Sequence, residues 1–419
     1  MKKILFLSYF WPPSGKATLH WPLKMIKYLP QSGIEPVVLT ISEDTFTQKD
    51  ESLLKEVSPA LKVIKTKNWE PFNFYKKFLG KRKDEQLIAS ETVSLENKDL
   101  KHRISLWVRM NLFVPDARVG WCPYAIKAGI DEVKNNNFEA VLSLGPPHSA
   151  HLAGLRIAKK SGLKFYPIFI DPWVDIVYYR GMKRSNLTLK IDNALEKKVC
   201  QEATKVIFVT KSMQNDYISK YPFLEGKSEV LYWGYDEDNF SDIFISGKSE
   251  TKTLIHSGNI FDYQNPKNLW RTIKQRIDSG EKIRLKFTGT VSPVIKNEIS
   301  ANGLEPVTDY LGFLSYQQML KELVSSTWLL VCATEKRHVP GKLFEYLRSG
   351  LPILAFGDDN DEVDSILRES NAGQLFKYDD SAYTFFETAD SFKTDLMSVE
   401  KFERRNIAAH LGKIIKGEI

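Results

Sequence analysis

The chain has 419 residues, too long for one ordinary hydrophobic core, so we expect two or three domains of roughly 100–200 residues each. Hydrophobic residues make up 42% and charged residues 26%, as in globular proteins, and no apolar stretch is long enough to span a bilayer. The net charge of +7 is too modest, without an Arg-rich run, to indicate a nucleic-acid partner. The three cysteines lie far apart, which predicts neither a disulfide framework nor a metal site and fits a reducing cytoplasm.

In chain order, the first half alternates short apolar runs with amphipathic segments. The opening run could be taken for a signal peptide, but no small-residue cleavage site follows it and Pro12-Pro13 ends it as a loop would end a strand. Five runs therefore predict buried strands, at 2–10, 34–42, 138–145, 164–171 and 204–210. Strands that alternate with helices predict a parallel, doubly wound α/β sheet.

The second half repeats this pattern from about residue 250. Five more runs predict strands, at 251–260, 283–291, 308–314, 326–334 and 351–357, with amphipathic helical segments after most of them. The sequence thus predicts two Rossmann-like domains in tandem.

Composition sets the predicted domain boundaries. An N-terminal domain over 1–233 and a C-terminal domain over 251–383 flank the polar stretch 234–250, which we interpret as the linker. The helical pattern of 384–419 predicts helices that pack back toward the N-terminal domain. The charged segment 80–103 predicts an exposed insertion.

The loops after the strands should carry the function, because ligands of doubly wound sheets bind beyond the carboxyl ends of the strands. With two such domains, the natural site is the cleft between them.

Three loops of the first half offer candidates. Ser14-Gly15-Lys16 follows the first strand and could bring N–H groups and an ammonium to a phosphate or a sugar, although a structural turn is the alternative. His148 stands at the start of a predicted helix and is either a contact for a substrate hydroxyl or a satisfied surface histidine. Asp171 is either a general base at a strand end or the cap of the next helix.

Two glycine corners of the second half follow strands as well. Gly258-Asn259 and Gly289-Thr290 would let the backbone approach a diphosphate or a base. The later segment CATEKRHVPGKLFEYLRSG concentrates cations and glutamates before and inside a helix, where a solvated charge run is the alternative. Neither the Walker spacing nor a GxGxxG pattern occurs, which argues against an ATPase or a dinucleotide-binding fold.

Together these motifs resemble the GT-B glycosyltransferases, most closely the family-four-like enzymes of bacterial polysaccharide clusters. The resemblance covers nearly the whole chain and rests on YFWPPSGKATLHWPLKMIKYLPQSGIEPVVLT, RMNLFVPDARVGW, GPPHSAHLAGL, DPW, YWGYDEDNF and, most specifically, VPGKLFEYLRSGLPILA. It implies two Rossmann-like domains that face each other across a cleft, with the nucleotide-sugar donor held by the C-terminal domain and the acceptor by the N-terminal one.

Carried over by residue, the resemblance implies that Glu345 holds the ribose hydroxyls. The N–H groups near Gly341, Lys342 and Leu343 would face the diphosphate, to which the Lys342 ammonium adds positive charge. The chain departs from the family at His338, which stands seven positions before Glu345 where a first glutamate is expected and is therefore also a candidate catalytic residue. A second departure is Asn259, which follows Gly258 where the family often has arginine.

The resemblance leads us to expect a cytoplasmic hexosyltransferase, retaining by analogy and independent of metal. It would transfer sugar from a UDP- or GDP-sugar substrate, with no tightly bound cofactor, to a saccharide or lipid-linked acceptor in the synthesis of capsule, lipopolysaccharide or another surface polysaccharide. The segment 101–121 mixes basic and apolar residues, which would suit peripheral contact with the inner membrane or a buried helix with a charged outer face. The alternatives are a nucleotide-sugar epimerase of the same fold and a scaffold that has lost its chemistry.

Overall fold

The computed structural model describes residues 1–43, 46, 49–69, 100–176, 179, 182–241 and 250–419. The chain divides into two compact units, the first made of residues 1–232 and 408–419 and the second of residues 233–407. Most of the predicted insertion, residues 80–99, lies outside the described residues.

The first unit contains a parallel sheet of seven strands. They are β1 (Lys2–Leu7), β2 (Ile34–Ile41), β3 (Lys62–Thr66), β4 (Phe138–Gly145), β5 (Lys164–Phe169), β6 (Val206–Phe208) and β7 (Ser228–Val230). Their order is β3-β2-β1-β4-β5-β6-β7, so the direction of winding reverses between β1 and β4. Both neighbours of β1 run parallel to it, with Leu5 opposite Val37 on one side and Val141 on the other.

Helices flank this sheet and bury its apolar side chains. Within the described residues they are α1 (His20–Tyr28), α2 (Leu100–Leu112), α3 (Cys122–Lys134), α4 (Ser149–Ser161), α5 (Asn186–Glu202) and α6 (Lys211–Lys220). The β-branched and aromatic runs are fully buried in β1, β4 and β6, because a parallel sheet is covered on both faces.

The second unit repeats this architecture with six parallel strands. They are β8 (Lys252–Ser257), β9 (Ile283–Thr288), β10 (Thr308–Gly312), β11 (Trp328–Cys332), β12 (Ile353–Phe356) and β13 (Gly373–Phe376), in the order β10-β9-β8-β11-β12-β13. Its helices are α7 (Lys267–Asp278), α8 (Pro293–Ala301), α9 (Tyr316–Val324), α10 (Lys342–Ser349), α11 (Asp361–Glu369), α12 (Tyr383–Thr388) and α13 (Leu396–Val399). The last helix, α14 (Arg404–Lys416), begins in this unit, and its residues from 408 onward belong to the first unit.

The two sheets confirm the predicted fold class, and every strand predicted from an apolar run is present. Three strands were missed: β3, β7 and β13. All three lie at the edge of a sheet and keep partly exposed side chains, so their sequences lack the continuous apolar run of the central strands.

The division into two units passes close to the start of the predicted linker and through the predicted tail. The boundary between the units falls between residues 232 and 233, and the start of the predicted linker is buried in the second unit at Tyr235 and Asp236. There the backbone of Tyr235 pairs with the tail, donating to the Phe402 carbonyl and accepting from the Arg404 N–H. Residues 384–407 therefore belong to the second unit, and only 408–419 belong to the first. Residues 242–249 lie outside the described part of the chain.

Across the described ranges, none of the helices combines the length and the hydropathy that a transmembrane span requires. Helix α2, which contains part of the predicted interfacial segment, leaves Ile104, Trp107 and Leu112 exposed.

Candidate functional site

The second unit brings its candidate residues to the carboxyl edge of its sheet. The winding reverses between β8 and β11, and at such a switch point the loops diverge and leave room for a ligand. The loops after β8, β9 and β11 all reach this edge, and the loop after β11 leads into α10.

The two glycine corners pack directly against each other. Gly258 and Gly289 both have φ of 89°, which disfavours any side chain. A Cβ atom on Gly289 would lie 2.8 Å from the carbonyl carbon of Gly258. The side chain of Asn259 joins the corners as well, because its amide oxygen accepts a hydrogen bond from the Thr290 N–H at 3.0 Å. The four predicted residues are thus brought together, and the side-chain oxygen of Asn259 is used in a hydrogen bond between the two corners.

Lys342 lies beside this glycine pair. Its Nζ is 3.1 Å from Nε2 of the buried His256 and 3.3 Å from where a Cβ of Gly258 would stand. Burial lowers the pKa of Lys342 to about 8, and burial together with the Lys342 charge holds the pKa of His256 well below its usual value. The site therefore keeps a partly desolvated ammonium next to backbone that can approach an anion closely.

Glu345 is one turn further into α10 and is only 6% exposed. The Tyr316 hydroxyl donates to its Oε1 at 3.1 Å, and the guanidinium of Arg404 is 3.9 Å from the same oxygen. Burial raises the pKa of Glu345, and Arg404 gives the largest opposing effect. The carboxylate is thus held at Oε1 by Tyr316 with Arg404 nearby, and it also accepts a backbone hydrogen bond from its own residue.

Sequence reasoning missed Tyr316 and Arg404. Tyr316 opens α9 and Arg404 opens α14, far along the chain from Glu345 in both directions. No local spacing links them to α10, so only the fold could reveal them.

His338 organises the loop between β11 and α10. Its Nδ1 accepts a hydrogen bond from the Thr334 N–H at 3.0 Å, and its carbonyl accepts one from Asn360 Nδ2 at 2.9 Å. The same amide group of Asn360 also donates to the Glu335 carbonyl at 2.9 Å. Burial, with the nearby Lys342 charge, lowers the pKa of His338 to about 4, so the imidazole is neutral near pH 7.

The start of α10 has a steric requirement of its own. A Cβ on Gly341 would come within 2.9 Å of the Trp233 indole, so this glycine is needed for packing as well as for any approach of a ligand. The Leu343 N–H already donates to the Pro340 carbonyl at 2.9 Å. Of the three predicted N–H groups, that of Leu343 is therefore engaged within the chain.

In the first unit the predicted phosphate loop follows β1. Ser14 is buried and forms a backbone bridge with Lys49, while its N–H donates to the Trp11 carbonyl at 3.0 Å. Lys16 is more open, and burial followed by the nearby Arg118 charge lowers its pKa. A Cβ on Gly15 would make only ordinary contacts, the nearest at 3.6 Å, so close packing does not require this glycine.

His148 is a buried histidine, 5% exposed, rather than the surface residue of the alternative interpretation. Its ring lies parallel to the indole of Trp173, with centroids 5.2 Å apart and planes 7° apart. Neither ring nitrogen has a well-formed hydrogen bond to the described residues. Burial lowers its pKa to about 3, opposed by the backbone of Pro172, so this imidazole is a neutral group able to accept or donate one hydrogen bond.

Around His148, the structure adds two residues to those predicted. His151 is fully buried, and its Nδ1 lies 2.8 Å from the Ser143 hydroxyl. Asp116 accepts hydrogen bonds from the N–H and the hydroxyl of Ser149, at 2.8 and 3.0 Å, and so fixes the start of α4 beside His148. A carboxylate at a helix N-terminus is a common stabilising arrangement.

Asp171 lies in the loop after β5 and is partly exposed. Helix α5 begins at Asn186 and is capped by the side chain of Ser185. The loop is tied to the end of β4 by a hydrogen bond from the Ile170 N–H to the Gly145 carbonyl, at 2.9 Å.

Over the ranges that the structure describes, no three side chains of His, Cys, Asp or Glu come together as a metal site would need.

In comparison with known proteins, a family model matches part of the chain. Residues 238–406 match the model of the family described as glycosyl transferases group 1, a stretch that lies within the second unit and contains all of α10. A search of curated proteins finds no significant relative.

Solved structures match the chain over its full length. The lipopolysaccharide outer core galactosyltransferase WaaB, in its apo form, is 12% identical with a TM-score of 0.61, and all of both chains is covered. HepE of Anabaena in complex with UDP is 12% identical with a TM-score of 0.65, again over all of both chains. A putative UDP-N-acetylglucosamine 2-epimerase from Listeria monocytogenes is 9% identical with a TM-score of 0.53, covering 100% of this chain and 97% of that one. At these identities the likeness shows a shared fold.

Proposed function

We propose that this chain, which has the GT-B fold and carries a glycosyl transferases group 1 domain over residues 238–406, is a glycosyltransferase that moves a sugar from a nucleotide sugar to a hydroxyl acceptor. The observation that carries the proposal is the arrangement at α10. There a half-buried ammonium, Lys342, and a buried carboxylate, Glu345, stand one turn apart beside two interlocked glycine corners.

The donor would bind at this edge of the second unit. The Glu345 carboxylate can accept two hydrogen bonds from the vicinal hydroxyls of a ribose, with Tyr316 and Arg404 behind it. Lys342 would face the diphosphate and stabilise the negative charge that grows on it as the bond from the anomeric carbon to the diphosphate breaks. His338 is the remaining candidate near the reacting groups, acting as a neutral donor through its Nε2. The UDP complex of HepE supports a uridine nucleotide over a guanosine one.

The acceptor would bind to the first unit, where His148 and Asp171 lie at the ends of β4 and β5. His148 is buried and neutral, with the Pro172 backbone beside one ring nitrogen, so the other can accept a hydrogen bond from a substrate hydroxyl that reaches the ring. Lys16, in the loop after β1, supplies a cation for an anionic group of a substrate. We infer a saccharide or lipid-linked acceptor in the synthesis of a surface polysaccharide, a role to which the name of WaaB lends support, and retention of configuration by family analogy.

One specific observation favours a second candidate, a nucleotide-sugar epimerase. The fold is shared with the putative epimerase from Listeria monocytogenes, although at 9% identity. Such an enzyme would convert a nucleotide sugar without an acceptor, whereas a transferase would only hydrolyse it slowly.

The test is turnover of a panel of UDP- and GDP-sugars, each incubated with and without saccharide and lipid-linked acceptors. We expect release of nucleoside diphosphate that depends on an acceptor and matches the sugar transferred, one for one. Interconversion of sugars without an acceptor would instead establish the epimerase. Nucleotide binding without turnover under any of these conditions would indicate a scaffold that has lost its chemistry.

A further inference from the structure

Helix α5 buries two carboxylates that the proposed reaction does not use. Asp192 and Glu196 are both completely inaccessible to solvent, and their spacing of four residues puts them on the same face of the helix. Buried carboxylates are costly unless they are paired and hydrogen-bonded, so their partners indicate what they are for.

Asp192 holds the side chain of Trp173. Its Oδ1 accepts a hydrogen bond from the indole Nε1–H at 2.6 Å. Its other oxygen pairs with Arg184, whose guanidinium supplies the compensating charge. Burial still raises the pKa of Asp192, against the effect of Arg184. One end of the indole is therefore fixed by a charged hydrogen bond.

Glu196 holds the backbone of the same loop. Its Oε2 accepts from the Val174 N–H at 3.1 Å and from the Tyr217 hydroxyl at 2.8 Å. The oxygen of that hydroxyl in turn accepts from the Trp173 N–H at 2.9 Å. On its other oxygen Glu196 is satisfied by Lys220 at 2.7 Å and by the Tyr221 hydroxyl at 2.8 Å.

These bonds fix the indole of Trp173, and His148 packs on one face of that indole. The two rings are stacked 7° from parallel. On another side, His148 Nδ1 would stand 2.7 Å from a Cβ on Gly145, so only a glycine at that position leaves room for the ring. The plane of the imidazole is thus set by Trp173 and by the bare backbone of Gly145.

We propose that Trp173, fixed by Asp192 and by Tyr217 with Glu196 behind it, is a positioning residue that sets the plane of the buried His148 imidazole and so the direction in which its ring nitrogens point. The role given to His148 rests on the proposed function, whereas the positioning of its ring does not. Asp192, Glu196 and Tyr217 act through Trp173.

The charged and titratable groups around His148 come from several elements. His151 lies on its own helix, 5.5 Å away between ring centroids, and Asp116 binds the neighbouring Ser149. Asp171 belongs to the same loop as Trp173, and Asp192, Glu196 and Tyr217 lie beyond the indole. Burial of His148 dominates these influences and holds its pKa low, so a looser Trp173 that admits water should raise that pKa.

Two matched variants separate positioning from general stability. Tyr217→Phe and Tyr221→Phe each remove one hydroxyl from Glu196, and both tyrosines are buried. Only the hydroxyl of Tyr217 also bonds to Trp173. The readout is the imidazole titration of His148 by NMR with labelled histidine, its signal assigned by its loss in His148→Gln. A second readout is the pH dependence of kcat on the acidic side.

We expect the His148 pKa in Tyr217→Phe to rise by about one pH unit or more, while Tyr221→Phe leaves it unchanged even though both lower the melting temperature. Since a higher pKa protonates the ring earlier as pH falls, the acidic limb of kcat should move to higher pH in Tyr217→Phe alone. Equal titration of His148 in the two variants would overturn the proposal. If no sugar transfer is found with any substrate, the proposed function fails, but the NMR result still decides the positioning of the ring.

Discussion

Glu345 has a carboxylate that is nearly sealed from solvent, yet only one of its oxygens has Tyr316 and Arg404 beside it. A buried carboxylate with a neighbouring cation stays ionised more readily than its burial alone would allow. Such a group is suited to accept hydrogen bonds from a ligand.

Lys342→Met should stabilise the second unit at neutral pH and weaken nucleotide binding. The folded pKa of about 8 lies below the ordinary 10.5, so between these values the unfolded chain holds a proton that the folded chain lacks. The stability contributed by this group therefore rises with pH through that window, and below pH 8 the folded state bears the full cost of its buried charge. Because the side chain is half-buried, we expect Lys342→Met to raise the free energy of unfolding at pH 7 by about 2 kcal/mol. Thermal unfolding at pH 7 and at pH 10 measures this change.

The control for this substitution is Lys286→Met, which removes a lysine paired with Glu322 in the same unit. This control variant should show no gain in stability at pH 7 and no loss of affinity for UDP. An equal fall in stability at both pH values for Lys342→Met would contradict the account of the buried ammonium.

At the scale of elements, the glycine corners after β8 and β9 depend on each other. Gly289→Ala should lower the melting temperature and the affinity for UDP, because its Cβ would meet the Gly258 backbone at 2.8 Å. Backbone cannot move aside as a flexible side chain can, so one corner must shift. Thermal unfolding and nucleotide titration measure the two effects.

Gly280→Ala is the matched control for that change. Its φ of 101° is also unfavourable to alanine, but a Cβ there has nothing within 4 Å. It should cost about 1 kcal/mol through backbone strain alone and leave UDP affinity intact. If both variants lose the same stability and neither loses affinity, the corners do not form a ligand site.

The elements themselves were largely readable from the sequence, because central strands buried on both faces have unbroken apolar runs. The edge strands β3, β7 and β13 could not be predicted, because polar residues on their exposed sides interrupt the apolar run. Glycine corners and the helix containing Glu345 could be placed for the same reason, as they follow recognisable strands. The partners that tune the site could not be placed. These partners contact the residues they act on only in the folded chain. They are Tyr316 and Arg404 beside Glu345, and Asp192 and Glu196 beside Trp173 and its loop.

At the scale of the whole molecule, the candidate sites of the two units are supported by different observations. The family match lies in the second unit, so the proposed donor site is supported by the geometry at α10 and by that match. The candidates of the first unit rest on geometry and on the shared fold. Contact with a membrane through α2, where Trp107 is half exposed, stays a prediction.

The central claim, that α10 holds the nucleotide of a sugar donor, is tested most directly by titration calorimetry of UDP and GDP against three proteins. They are the wild type, Glu345→Gln and the control Glu322→Gln, which removes a carboxylate paired with Lys286 in the same unit. We predict that the wild type and the control bind one of the two nucleotides alike, while Glu345→Gln binds it about tenfold or more weakly because the ribose loses a charged acceptor. Absence of binding to both nucleotides, or equal binding by Glu345→Gln and the wild type, would contradict the account.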